Sequence, residues 1–141
     1  MKYAVNPFTR HIIIITIILI IGIPAIHKLS SDMPPEWFLA KFNGTWIDLF
    51  PKSISISFFI IVVLEILAPV FFIIGLVKKE LSSDIFKFTH LGFKTTQILF
   101  VILTLGSFMV QDYDNGFKDF MYLFAIIILE LITTSENKKL N

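Results

Sequence analysis

Apolar residues fall into four long runs separated by short polar stretches, and no run alternates with the period of two that marks a strand. Ile12 to Ile26 is uncharged and bracketed by Arg10 and His11 on one side and His27 and Lys28 on the other. Fifteen residues rise only ~22 Å along a helix, short of a ~30 Å hydrocarbon core. Arg10 and Lys28 extend the usable span by laying their stems along the helix ends. Ser53 to Val77 is long enough alone and holds a single ionisable residue, Glu65. Phe88 to Val110 is also long enough but carries His90, Lys94 and Gln97, and Phe117 to Thr134 ends with Glu130. Backbone polar groups in lipid are satisfied only by helices or closed barrels. The pattern therefore predicts an all-α integral membrane four-helix bundle in a single transmembrane domain, with helices near 9–29, 53–77, 86–110 and 117–134.

Composition agrees with that picture: 55% of residues are hydrophobic, 16% charged, and mean hydropathy is +0.80. Soluble domains carry about 25% charged residues. A net charge of +1 leaves no electrostatic footprint for nucleic acid. The absence of cysteine excludes disulfides, thiol relays, thiolate metal sites and iron–sulfur clusters. The first run resembles a signal peptide in its flanking charge, but Ile23-Pro24-Ala25 is a poor cleavage site, so a retained helix is expected. Gly22 and Pro24 are expected to bend it.

Lys and Arg near the spans set the orientation. Lys2, Arg10, Lys78, Lys79, Lys87, Lys138 and Lys139 lie on one side; Lys28, Lys41, Lys52 and Lys118 lie on the other, diluted by acidic residues. Seven against four places both termini in the cytoplasm. The outer loop, residues 30–52, is then amphipathic: Pro34 and Pro35 suit the start of a short helix, and Trp37, Phe38, Phe42, Trp46 and Phe50 supply aromatic rings. Two readings fit it: an interfacial anchor, where Trp is enriched, or a lid over a cavity between the helices. The segment Gln111 to Gly116 reads as an acidic turn.

Hydrocarbon penalises polar side chains, so those inside the spans carry the information. Glu65 sits at the midpoint of its run, where an acidic residue costs about 2.5–3.5 kcal/mol. Pro69, four residues on, cannot donate to the Glu65 carbonyl, which leaves a local polar spot. His90, Lys94, Gln97, Val101 and Thr104 follow spacings of 4, 3, 4 and 3 and so share one helical face, expected to point into the bundle. Depths counted along the helices pair Glu130 with His90 or Lys94, and Glu65 with Gln97. Three roles fit the set: a polar clasp fixing helix register, a pocket for a small amphipathic ligand such as a quinone headgroup, or a proton path. Nothing in the spacing of His11 and His90 supports haem ligation. The chain holds no HExxH, di-iron ExxH pair, GxSxG or phosphate-cradling loop, and so no metal site and no independent enzyme signature.

The layout resembles one known family. A first helix ending Ile26-His27-Lys28-Leu29, a loop with Pro34, Phe38, Phe42 and Gly44, and a second helix carrying Leu64-Glu65-Ile66-Leu67 and closing with Ile74-Gly75-Leu76 are similar to the DoxX-like small four-helix membrane proteins. The resemblance covers roughly residues 10–110 and extends more loosely to the end. It implies a compact four-helix bundle of the cytoplasmic (inner) membrane in a bacterium. The family is named for a subunit of a thiosulfate:quinone oxidoreductase, and other members are linked to membrane redox complexes or to assembly of partner proteins. Carried over by motif, Glu65 is the position to mark as functional and Lys28 the second. This chain departs in having Ile and Phe where such helices are richer in Gly and Ala, and in lacking the cysteines of related thiol-redox proteins. The expected role is accessory: a subunit or assembly partner of a membrane complex, as a homo-oligomer or with another membrane protein, holding a quinone or lipid near Glu65. The alternatives are a stand-alone quinone-linked oxidoreductase and a proton-coupled carrier.

Overall fold

The computed structural model describes residues 5–31, 33–83 and 85–134; Lys2, Lys138 and Lys139 of the charge count lie outside them. Helix is the regular secondary structure of those residues, with no strand among them. Helix α1 runs Pro7–Leu29, α2 Glu36–Phe42, α3 Ser53–Val77, α4 Lys87–Met109 and α5 Tyr113–Thr134, with short 3-10 turns at Trp46–Leu49 and Glu80–Ser82. Helices α1, α3 and α4 are long and apolar enough to cross a membrane. Every 18-residue stretch of α5 contains Lys118, Asp119 and Glu130, which keeps that helix out of the group. The three apolar helices point to a lipid bilayer environment.

Local chemistry sets the ends of these elements. Asn6 caps α1 by accepting from the Phe8 N–H at 3.0 Å, Pro7 occupies the first turn where its missing N–H costs nothing, and His27 and Lys28 sit at the negative end of the helix dipole. The helix continues through Pro24 to Leu29. Helix α5 starts at Tyr113, four residues earlier than the acidic-turn reading placed it. Gln111 takes a left-handed φ of 58° to reverse the chain, and Asp112 then acts as the cap, its carboxylate accepting from the Asn115 backbone N–H at 3.4 Å and from the Asn115 side-chain amide at 2.8 Å. The connection is thus confined to the three residues 110–112, and Asp114-Asn115-Gly116 lies in the first turn of the helix.

The long helices pack in chain order, α1 on α3, α3 on α4 and α4 on α5, whereas α1 and α5 barely touch. At the centre, the Phe72 and Phe93 rings meet edge to face with centroids 5.1 Å apart, both fully buried. Gly92 lies directly against the Phe72 ring, which lets α3 and α4 approach closely. Thr96 and Thr104 donate their hydroxyls to the Gly92 and Phe100 carbonyls one turn back, so these buried polar groups need no outside partner. Helix α2 lies across one end of α3 and α4. Phe38 and Phe42 are buried there, with Phe38 4.9 Å from the Phe58 ring, while Trp37 and Trp46 stay exposed. Lys41 ties α2 to the α4–α5 turn through Asp112 at 2.7 Å. The Lys41 ammonium and the Asn115 amide hold the Asp112 carboxyl down to about 2.

The connection between α3 and α4 contains an acid that the sequence pattern does not expose. Glu80 is buried and accepts from the Phe88 N–H at 2.9 Å, the Thr89 N–H at 2.8 Å and the Thr89 hydroxyl at 2.9 Å. It caps α4 from a separate turn, replacing the side-chain cap that Phe86 cannot supply. Burial pushes its carboxyl up, but the Phe88 and Thr89 donors and the Lys78 charge outweigh burial and hold it below the ordinary 4.5. A depressed carboxylate stabilises the fold fully above its unfolded value and loses that contribution as pH falls through the folded one. Glu80→Gln should therefore lower stability at pH 7 by about 1–3 kcal/mol and flatten the loss of stability below pH 4.5. Thermal unfolding as a function of pH, wild type against variant, measures both.

Candidate functional site

Two polar groups are built into the long helices. In the first, the Lys28 ammonium of α1 reaches Glu65 Oε1 of α3 at 2.5 Å. Glu65 is only 5% exposed, and its second oxygen, Oε2, is buried without a hydrogen-bond partner. The pairing of Glu65 with Gln97 expected from depth is not what forms. The α1–α3 register sets Gly22 against Pro69 and Lys28 beside Glu65. Helix α3 overshoots α1 at this end, carrying Phe58 up under α2, so the midpoint of α3 lies level with the last turn of α1.

Gln97 instead belongs to the second group, on the α4–α5 seam. Glu130 Oε1 lies 2.9 Å from His90 Nδ1; Oε2 accepts from Gln97 Nε2 at 2.6 Å and Lys94 Nζ at 3.1 Å. Lys94 also donates to Gln97 Oε1 at 3.3 Å. Glu130 is buried, but the His90 and Lys94 side chains are 49% and 61% exposed. The expectation that the stripe from His90 to Thr104 points into the interior is corrected accordingly. The buried face of α4 is Thr89, Gly92, Phe93, Thr96, Leu99 and Phe100, where Gly92 admits the Phe72 ring of α3 and Thr89 lies against Gly75. Of the stripe, only Thr104 is buried.

Because α1 and α5 do not close on each other, a half-open cleft of about 610 Å³ remains between them, floored by Leu99, Phe100 and Leu103 of α4. Its wall is apolar except for Thr16, Glu65, Asp119 and Tyr122. A smaller cavity of about 120 Å³ lies beneath α2, walled by Lys28, Phe38, Phe42 and Phe58 among others. Lys28 faces this smaller cavity and Glu65 the cleft, so their ion pair stands between the two. Phe38 and Phe42 are buried against this cavity, while the Trp37 and Trp46 rings are exposed.

Asp119 and Tyr122 of the cleft are not singled out by the sequence pattern. Their spacing of three puts them on one face of α5, but an isolated Asp and Tyr in an apolar helix give no hint of what they face. No group of three or more His, Asp or Glu side chains placed to hold a metal occurs among the described residues. The chain matches no family model, no curated protein and no solved structure.

Proposed function

We propose that this chain is a multi-pass protein of a bacterial cytoplasmic membrane, similar to the DoxX-like proteins, that serves as an accessory component of a membrane redox complex and holds a quinone or lipid between its helices. In this reading α5 spans the membrane alongside α1, α3 and α4, with both termini cytoplasmic. Its charges are compatible with that: Glu130 is met by His90, Lys94 and Gln97, and Asp119 accepts from Ser107 Oγ at 3.3 Å. Resemblance marks Glu65 and Lys28, and these two side chains are in contact.

The observation that carries the ligand role is the half-open apolar cleft with a buried carboxylate oxygen lacking a partner. Its volume lies in the 300–1,000 Å³ range of small-molecule sites, and an intramembrane acid is by default a functional-site candidate. Native mass spectrometry of protein released in mild detergent, followed by organic extraction, tests the reading. One lipid or quinone per chain is expected, displaced in Ala125→Trp, which places an indole in the cleft from its α5 wall. A wild-type chain that carries nothing and binds no added amphiphile would sink the ligand role. A tightly bound absorbing cofactor with turnover by the isolated chain would favour the stand-alone oxidoreductase.

A further inference from the structure

Resting on that reading of the cleft, we propose that it selects an amphiphile whose head donates hydrogen bonds, a hydroxyl or an ammonium, through the free Oε2 of Glu65. The Lys28 ammonium lies 2.5 Å from Glu65 Oε1, and a carboxylate paired in this way only accepts hydrogen bonds. Oε2 is buried with no partner on a residue that lines the cleft, and an unfilled buried acceptor is costly enough that a matching donor is strongly favoured. The second acid of the wall, Asp119, is half-buried and adds a further acceptor. The groups able to donate to a carbonyl, Thr16 and Tyr122, lie at exposed positions on the rim. The buried part of the cleft is thus an acceptor site.

The chemistry discriminates between heads. An alcohol or amine at the end of a single chain places its O–H or N–H on Oε2 while the chain lies along the isoleucine wall of α1. A quinol head qualifies on the same grounds. An oxidised quinone or an ester, offering only carbonyl acceptors, sets lone pair against lone pair. Lys28 already neutralises Glu65, so a neutral hydroxyl suffices there, whereas Asp119 adds negative charge that an ammonium would answer.

The test uses the full chain in phosphatidylcholine nanodiscs, a lipid whose own head donates no hydrogen bond. Monooleoylglycerol, oleylamine and methyl oleate share one chain and differ in the head, and their binding is read by native mass spectrometry. The two donor-headed probes should bind one per chain and at least ~10-fold tighter than the ester, the difference expected for a hydrogen bond to a charged acceptor. The tighter of the two identifies hydroxyl or ammonium as the natural head. Ala125→Trp should abolish binding of both, and Glu65→Gln, which turns part of the acceptor into a donor, should narrow the preference to within about threefold. Equal binding of all three probes that Ala125→Trp still removes would overturn the donor selectivity and leave the cleft as a ligand site. Binding insensitive to Ala125→Trp, or none, would overturn both.

Discussion

Gly92→Ala should destabilise the protein by about 3 kcal/mol, the upper part of the range for overpacking a core. A methyl group at this position would lie 2.7 Å from Phe72 Cδ1, 2.8 Å from Cε1 and 2.9 Å from Cγ. The ring has nowhere to go. Phe72 is fully buried, and Phe93 stands at 85° to it with centroids 5.1 Å apart, so rotating one ring displaces the other. The strain must then separate α3 from α4 and loosen the contacts along their length. Gly92→Ala/Phe72→Leu should recover at least half of the loss, since the smaller side chain vacates the space the methyl takes. Unfolding of the single and double variants in detergent measures the coupling. If the double variant shows the sum of the two single losses, the clash is not the cause.

The same helix shows what hydropathy can and cannot convey. Long apolar runs announce helices because a chain in lipid has few other ways to satisfy its backbone, and the ends of α3 at Ser53 and Val77 follow directly. The cluster of His90, Lys94, Gln97 and Glu130 was partly legible, because depth along α4 and α5 limits which groups can meet. Its placement on the seam was not. A polar stripe reads as inward-facing only when no better inward face competes, and the adjoining face of α4 offers Gly92, small enough to receive the Phe72 ring, flanked by the buried Thr89 and Thr96. The partner of Glu65 was illegible for another reason. Counting depth assumes that helices share a midplane, and α3 is displaced along α1 until Glu65 meets Lys28. Registry of this kind is set by side-chain packing between helices, which no single helix encodes. The open α1–α5 seam likewise follows from the packing order of four helices and leaves no mark in any one of them.

Lys28→Met should be the most damaging single change, lowering stability by about 3–5 kcal/mol because it strands a buried carboxylate. Glu65 is 5% exposed and its second oxygen already has no partner, so removing the ammonium leaves the group without compensation on either oxygen. Glu65→Leu should cost less, since the Lys28 side chain is 24% exposed and its head is free to swing outward once released. The double variant Lys28→Met/Glu65→Leu should regain most of what Lys28→Met loses, because two apolar side chains carry no desolvation cost in this surrounding. A strongly positive coupling energy in that cycle is the expected result; additive losses would mean that the pair contributes through packing alone. The cycle also separates stability from function. If the ion pair exists to hold α1 on α3, the restored double variant keeps its ligand. If Glu65 serves to accept from a bound head, that variant is folded and stable and its cleft no longer distinguishes donor heads from acceptor heads.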